Sequence, residues 1–176
     1  MFALFRSPEP SSALQLHHAL VTASRRPEFY QQGGVPDTLD GRYELLILHA
    51  ILLFRRLRAG QQDLAQKIFD LLFAQFDLNL RELGVGDMGV GKRIKKMSQG
   101  FYGRAQAYEA ALDDDAALHA ALARNLFGTL PDEPGLNLTQ PFIWYTRRAV
   151  ALLDQQPIAE IAAGTVVFPA FPVSEP

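Results

Sequence analysis

The sequence predicts an all-α, single-domain bundle of about six to eight helices. Apolar residues recur at steps of three and four over several long segments, which is the spacing of one face of an α-helix. Strict alternation of apolar and polar residues, which indicates a half-buried strand, never continues long enough to build a sheet. With 176 residues, 48% of them apolar and 20% charged, the chain has the size and composition of one globular domain with a buried core.

Cap and turn residues set the expected helices of the first half of the chain. Serine, threonine and aspartate accept hydrogen bonds from the free N–H groups that begin a helix, whereas glycine and proline end one. The expected elements are a helix that Ser11 or Ser12 caps and Pro27 ends, a short turn at 28–32, a helix that Thr38 or Asp40 caps and that reaches about Arg58 before Gly60, and a helix from Asp63 to Leu83.

Helices are also expected throughout the second half, behind a glycine-rich turn. The expected elements are a helix from Lys92 to Leu112, an alanine-rich helix after the aspartates at 113–115, a long helix that Thr139 and Pro141 open, and a short helix from Pro157 to about Ala163. The chain thus divides into a flexible N-terminus at 1–10, a helical domain at 11–156, and a short helix with a proline-containing tail at 157–176. The tail residues expected to pack on the domain or pair with a partner are Val166, Val167, Phe168 and Phe171.

Membrane insertion, export and thiol chemistry are not expected. The most apolar stretch, Leu45 to Phe54, spans about 15 Å as a helix, whereas a bilayer core is about 30 Å thick. It is therefore expected to be a central helix that is buried on most sides. Met1 to Pro10 contains no apolar run of signal-peptide length, and the absence of cysteine excludes disulfides and thiolate metal sites, which fits a cytoplasmic protein.

The segment Gly84 to Met97 matches the spacing of two nucleotide-binding motifs and lacks the context of both. The glycines at 84, 86 and 89 have dinucleotide-binding spacing, but a helix precedes them where that motif requires a strand. The glycines at 86 and 91, followed by Lys92, have phosphate-loop spacing, but Arg93 replaces the hydroxyl side chain that binds magnesium. A nucleotide-dependent enzyme is therefore the third-ranked function, and the glycines are interpreted as a flexible turn.

The helix after this turn is expected to have one apolar face and one basic face. Its apolar stripe consists of Ile94, Met97, Phe101, Ala105, Tyr108 and Leu112. The basic face consists of Lys92, Arg93, Lys95, Lys96, Gly100, Gly103 and Arg104. No acidic residue occurs between Asp87 and Glu109, so this face is expected to carry a positive potential although the formal net charge of the chain is -2.

Two choices on the basic face are unfavourable for a helix. Cations near a helix N-terminus meet the positive end of the helix dipole and cost roughly 0.3–1 kcal/mol each. A glycine inside a helix, such as Gly100 or Gly103, costs about 1 kcal/mol relative to alanine. Such choices are typical of a contact surface, where absent side chains let another backbone approach closely. A solvated basic face whose glycines make room for a neighbouring helix is an equally good interpretation.

No arrangement of side chains predicts an active site, a metal site or a cofactor. Two adjacent histidines near the N-terminus diverge by about 100° on a helix and so do not form a metal pair. His49 lies in the most apolar helix and is expected to be a core residue that one hydrogen bond satisfies. Tyr102, Trp144 and Tyr145 are candidates for contact residues, although packing is the more common role of aromatic side chains.

Several stretches of the sequence together resemble the ubiquinol-cytochrome c chaperone family. These stretches are Tyr43 to His49, Phe69 to Glu82, Gly84 to Arg93, Phe101 to Arg104, and Tyr108. The string Gly-Val-Gly-Asp-Met-Gly-Val-Gly-Lys-Arg at 84–93 is specific enough that chance is a poor explanation. The resemblance covers about Leu14 to Leu153, which is most of the chain.

The resemblance implies an all-helical assembly factor of the cytochrome bc1 complex that does no chemistry of its own. Such a protein engages newly synthesised cytochrome b near the ribosome and the inner membrane, and mitochondrial members act with a small partner subunit. Because this chain begins almost at the domain, it is identified as a bacterial-type member in the cytoplasm, with peripheral contact at the inner face of the plasma membrane. Ribosome exit-site proteins and RNA are further expected partners.

The glycine turn and the basic helix are the expected partner-binding surface. The cations are assigned to electrostatic attachment to the client, ribosomal RNA or anionic lipid, and the residues near Tyr102 to close contact. The full set assigned to partner binding is Gly86, Asp87, Gly89, Gly91, Lys92, Arg93, Lys95, Lys96, Gly100, Phe101, Tyr102, Gly103 and Arg104. The alternative function is an RNA- or ribosome-binding helical module without a chaperone role, which a strong loss of RNA affinity with salt would favour.

Overall fold

The computed structural model describes residues 11–172, and within this range the chain forms eight helices and no strand. The helices are α1 (Ser12–Ser24), α2 (Glu28–Gln31), α3 (Leu39–Leu57), α4 (Gln62–Glu82), α5 (Asp87–Ala111), α6 (Asp115–Leu126), α7 (Leu136–Gln155) and α8 (Ile158–Ala162). The expected all-α bundle is confirmed. The predicted flexible N-terminus at 1–10 and the last four residues of the predicted tail lie outside the described residues.

Side-chain caps determine where three of these helices begin. The Ser11 hydroxyl accepts a hydrogen bond from the Leu14 amide at 3.3 Å, and the Thr38 hydroxyl accepts one from the Gly41 amide at 3.2 Å. The Asp114 carboxylate accepts from two amides in the first turn of α6. Each cap satisfies N–H groups that have no partner inside the helix and contributes about 1 kcal/mol. Of the two caps expected for α1 and for α3, the first of each pair is confirmed.

The basic helix begins five residues earlier than the sequence predicted. α5 starts at Asp87 and not at Lys92. Gly84 adopts the left-handed conformation, with a φ of 80°, and this single glycine completes the turn after α4. The next helix therefore begins almost at once. Gly89 and Gly91 are helical and do not belong to a loop, although each costs about 1 kcal/mol relative to alanine.

The last long helix also begins earlier than predicted. α7 starts at Leu136, so that Thr139 and Pro141 lie inside the helix and do not open it. The Thr139 side chain is buried and shares a hydrogen bond of 2.6 Å with His119, which links α7 to α6. Pro141 has no N–H to donate, and at this early position the helix loses only one backbone hydrogen bond.

Helix α3 forms the centre of the fold. It packs against α1, α4, α6 and α7, and α5 lies against both α4 and α6. Residues 45–53 of α3 are buried along nearly their whole length, which confirms the central helix that the sequence predicted. Among the helices of residues 11–172, none combines the length and the apolar character that crossing a bilayer requires.

The segment that follows α8 packs on the domain. Phe168 and Phe171 are buried, and the ring of Phe171 meets the ring of Phe29 edge to face at a centroid distance of 5.2 Å. Arg26 donates a hydrogen bond to the carbonyl of Pro169 at 2.6 Å. Of the two roles expected for the tail, packing on the domain is therefore the one that these phenylalanines have.

His49 is buried in this aromatic region and makes two hydrogen bonds, where the sequence predicted one. Its Nδ1–H donates to the Leu45 carbonyl at 2.7 Å, and its Nε2 accepts from the Tyr145 hydroxyl at 2.7 Å. Both bonds require the neutral imidazole with its proton on Nδ1. Burial lowers the pKa of His49 from 6.5 to about 4, and the positive charge of Arg26 acts in the same direction.

We expect the fold to lose stability as the pH falls through this range. Because the pKa of His49 is lower in the folded state, the unfolded chain takes up the proton first, and stability declines between pH 6.5 and about 4. From pH 7.5 to pH 5 the free energy of unfolding should drop by about 2 kcal/mol from this group alone. Urea denaturation measures the drop. The His49→Gln variant should lack this part of it, and equal drops in both proteins would contradict the prediction.

Candidate functional site

Two of the four basic residues in the first half of α5 line a cleft, and two do not. Arg93 and Lys96 line a cleft that α5 forms with its neighbours. Lys92 and Lys95 are exposed and do not contribute to the lining of this cleft. Helical spacing predicted all four on one face, because spacing alone does not show where the neighbouring helices lie. The structure therefore separates two cleft cations from two outer cations.

The cleft has a volume of about 580 Å³ and lies between the first turns of α3, the second half of α4, the first half of α5 and the end of α6. On its inner side Tyr43 and Phe76 meet edge to face at a centroid distance of 5.1 Å. At its rim Leu39 and Leu83 are 61% and 63% exposed. The apolar lining consists of Leu39, Tyr43, Leu46, Phe76, Leu80, Leu83, Met97 and Leu126. A recess with an exposed apolar rim is typical of a protein-binding surface.

Positive charge surrounds this apolar lining. Six cationic residues line the cleft: Arg25, Arg42, Arg93, Lys96, Arg104 and Arg124. The lining contains two carboxylates, Asp40 and Glu44. Arg42 is paired with Asp37, which lies outside the lining, and Arg104 is paired with Glu44. The other four cations form no ion pair within residues 11–172, so the cleft is positive although the formal net charge of the chain is -2.

A bidentate ion pair joins α5 to α3 at the side of the cleft. The Arg104 guanidinium donates from Nε to one Glu44 oxygen at 2.7 Å and from Nη2 to the other. It also lies over the ring of Tyr43, with 5.8 Å between Cζ and the ring centroid. Burial raises the pKa of Glu44, and the Arg104 charge opposes this rise.

This ion pair corrects the sequence analysis at Arg104 and Gly100. The sequence placed Arg104 on an open basic face, whereas the structure holds it half-buried against α3. A Cβ added to Gly100 would lie 2.7 Å from the Arg104 Nη1 atom. Gly100 therefore leaves room for the Arg104 side chain. This packing explains one of the two mid-helix glycines, and no binding partner has to be invoked for it. A Cβ added to Gly103 would meet nothing within 4 Å, so that glycine borders open space.

The other residues assigned to partner binding are not brought together at the cleft. Phe101 is 4% exposed and packs in the core with Phe69 and Phe73, so it is not available for direct contact. Tyr102 is 62% exposed and stacks on Phe69 at a centroid distance of 6.0 Å. Asp87 is exposed and paired with Arg81. The aromatic and acidic members of the set thus lie in the core or outside the cleft.

The assigned glycines at the start of α5 have different surroundings. Gly86 is the N-cap of the helix, with extended backbone. A Cβ added to Gly89 would lie 3.0 Å from a methyl group of Val85, so this glycine permits a close turn. A Cβ added to Gly91 or Gly86 would meet nothing within 4 Å. Gly91 is therefore a helical glycine on open surface, and the contacts within residues 11–172 do not account for it.

Most residues that line the cleft carry no signal in the sequence. Leu39 and Leu83 stand at helix ends beside polar turns, where an exposed leucine gives a weak signal of a rim. Arg25 and Arg124 give no signal, because each appears in the sequence as an ordinary surface cation at the end of a helix. Of the aromatic candidates, Tyr145 is a core residue, and Trp144 is exposed on α7 outside the cleft lining.

The glycine segment also bears on the nucleotide-binding motifs. Helix α4 leads into Gly84, and α5 is already helical at Gly89 and Gly91. A phosphate-binding loop needs a strand before it and a loop of backbone N–H groups around the phosphate. Neither feature is present at 80–93, and the structure agrees with the weak support that the sequence gave to a nucleotide-dependent enzyme.

Comparison with known proteins links this architecture to assembly factors. The chain is similar to the Xenopus laevis protein named ubiquinol-cytochrome-c reductase complex assembly factor 1, with 26% identity over 148 residues, 81% of this chain and 72% of that protein. It is also similar to protein CBP3, mitochondrial, from Saccharomyces cerevisiae, with 31% identity over 107 residues, 57% of this chain and 32% of the yeast protein. The match to the Mus musculus protein named ubiquinol-cytochrome c reductase complex assembly factor 1 covers 49% of that protein, about half of its length.

A solved structure has the same fold. The crystal structure of the Cbp3 homolog from Brucella abortus aligns with a TM-score of 0.80 and 39% sequence identity, over 91% of this chain and 90% of that chain. The family model described as ubiquinol-cytochrome C chaperone matches residues 31–168. This range includes α3 to α8 and nearly the whole lining of the cleft. The chain belongs to the ubiquinol-cytochrome C chaperone family.

Proposed function

We propose that this protein is a non-enzymatic chaperone for assembly of the cytochrome bc1 complex, and that it holds newly made cytochrome b in the cleft between α3, α4, α5 and α6. The observation that carries the proposal is the cleft itself, an apolar recess with an exposed leucine rim and four cations that form no ion pair with any described residue. The Xenopus and mouse relatives are named as assembly factors of the ubiquinol-cytochrome-c reductase complex, and these names support the cytochrome bc1 complex as the target.

Holding an unfinished membrane protein requires a binding surface and no chemical step. Leu39 and Leu83 offer apolar area at the rim, where a client segment gains by leaving water at about 25 cal/mol per Å². Arg93 and Lys96 line the same cleft, and their charges orient the bound segment and increase the rate of association. We place the protein at the cytoplasmic face of the membrane, in peripheral contact with it, where such a client emerges. A small partner subunit is a further binding partner under this proposal.

Photo-crosslinking in the native host tests the proposal. A photoreactive residue replaces Lys96, which lines the cleft, and cytochrome b is expected among the captured proteins that mass spectrometry identifies. The matched control carries the same residue at Asp63, which is exposed near the opposite end of α4, about 30 Å along the helix from Leu83. Equal capture of cytochrome b from both positions, or none from Lys96, would count against the cleft as the client site.

A second function is supported by the outer cations, and it is a contact with RNA or with ribosome exit-site proteins. Lys92 and Lys95 are exposed without ion pairs in the described part of the chain, and Gly91, next to Lys92, borders open space. RNA affinity that falls steeply with salt and that the double substitution Lys92→Glu and Lys95→Glu abolishes would favour this function. RNA affinity that the substitution leaves unchanged would exclude this surface.

A further inference from the structure

We propose that the cleft accepts one kind of client segment, an amphipathic helix that carries acidic side chains beside its apolar face. This inference rests on the proposed function and adds the chemistry of the segment that is held. It follows from three properties of the lining: its secondary structure, its apolar area and its unbalanced charge.

The secondary structure of the walls favours a helix as the occupant. Helices α3, α4, α5 and α6 form the walls, and their internal backbone N–H and C=O groups are already bonded inside each helix. Such walls present no strand edge that could pair with an extended peptide. A segment that enters the apolar recess must therefore satisfy its own backbone groups, and a helix does this without any help from the walls.

The apolar lining sets one face of this helix. Phe76 and Leu80 are nearly buried on the inner side, whereas Leu39 and Leu83 stay exposed at the rim. Leu80 and Leu83 are three residues apart and lie on one side of α4. An incoming helix with apolar residues at steps of three and four can cover this stripe, as in other complexes where a helix occupies a groove.

The charge of the lining sets the other property of the occupant. Covering the apolar surface next to Arg93 and Lys96 removes water from both cations, which is costly unless the occupant brings an opposite charge. Arg25 and Arg124 also line the cleft, and they too would need an opposite charge when they lose water. Asp40 is the one lining carboxylate that has no ion pair within the described residues. A basic or neutral segment would leave these cations unbalanced, whereas glutamate or aspartate side chains would pair with them.

A further donor beside the cleft agrees with an acidic occupant. The Tyr43 hydroxyl is buried without a hydrogen-bond partner in the described part of the chain. Burial raises the pKa of Tyr43 to about 12, so its hydroxyl keeps its proton and remains a donor at neutral pH. A carboxylate that enters the cleft brings an acceptor for this donor.

Binding of three designed peptides to the full-length protein tests the inference. The peptides share leucines at helical spacing and differ in the flanking polar positions, which are all glutamate, all glutamine or all lysine. Fluorescence anisotropy at low salt should give an affinity for the glutamate peptide that is about tenfold or more above that for the glutamine peptide, with the lysine peptide weakest. Equal affinities, or the reverse order, would overturn the inference. Binding of a short-chain anionic phospholipid without any peptide binding would also overturn it.

Reversing the charge of the cleft separates charge recognition from nonspecific hydrophobic binding of the peptides. In the variant that combines Arg93→Glu and Lys96→Glu, the lysine peptide should bind better than the glutamate peptide, while circular dichroism shows an unchanged helix content. An unchanged preference for glutamate would overturn the inference. The two proposals can be contradicted separately. Crosslinking to cytochrome b without a peptide preference would contradict only this inference. A peptide preference without capture of cytochrome b would contradict only the proposed function.

Discussion

Reversing the charge of Arg93 and Lys96 is expected to lower the capture of cytochrome b by about tenfold or more, which corresponds to about 1.4 kcal/mol of binding free energy. Both side chains line the cleft, and neither forms an ion pair within residues 11–172. Replacing them by glutamate therefore removes the attraction for an acidic client segment without breaking a contact that holds the fold. Co-purification of cytochrome b from membranes solubilised under identical conditions measures the loss.

The matched control for this experiment lies on the same helix. The combination of Lys92→Glu and Lys95→Glu makes an equal change in net charge at two exposed lysines of α5 that do not line the cleft. It should lower capture of cytochrome b less than about twofold, because neither lysine lines the cleft and both are open to water and salt. Equal losses from the two variants would mean that the net charge of the helix, and not the cleft, decides binding.

Replacing Arg104 by alanine is expected to lower the free energy of unfolding by about 2–3 kcal/mol. The substitution leaves the buried Glu44 of α3 without its bidentate partner, and breaking a buried ion pair costs about 3–5 kcal/mol when both groups are fully enclosed. We expect less here because Arg104 is only partly enclosed. Urea denaturation at pH 7.5 measures the loss. Arg93→Ala, on the same helix, removes a side chain that forms no ion pair in the described range 11–172, and it should lose less than about 0.5 kcal/mol.

The pH dependence of this loss has a definite sign. The pKa of Glu44 is already raised by burial, and removing the Arg104 charge raises it further. The folded state of the variant therefore takes up a proton more readily than the unfolded state, and the stability deficit should shrink as the pH falls. Full stability of Arg104→Ala together with lost capture of cytochrome b would instead make Arg104 a contact residue, as the sequence analysis expected.

The helices could be predicted from the sequence because their signals are local. Ser11 and Thr38 cap helices through their own side chains, and the three-four spacing in α3 and α4 depends on neighbouring turns of the same helix. The predicted start of α5 was wrong because four closely spaced glycines suggest a long loop. In the structure the left-handed conformation of Gly84 alone completes the turn. Local composition does not show how many of several glycines a turn uses.

The cleft could not be predicted because it depends on contacts between elements that are distant in the sequence. Glu44 and Arg104 are 60 residues apart, and the sequence around Arg104 contains no acidic residue that would reveal its partner. Arg25 reaches the cleft from the end of α1, and Arg124 reaches it from the end of α6. The basic character of α5 was visible, but the division between the cleft cations and Lys92 with Lys95 appears only when the neighbouring helices are in place.

The amount of assembled cytochrome bc1 complex in membranes tests the central claim most directly. In a host that lacks this protein, the haem b absorbance of membranes and the level of the assembled complex should fall strongly. The wild-type chain should restore both, and the variant that combines Arg93→Glu and Lys96→Glu should not, although it accumulates to the same level. Normal assembly in the absence of the protein, or full restoration by that variant, would contradict a chaperone that works through the cleft.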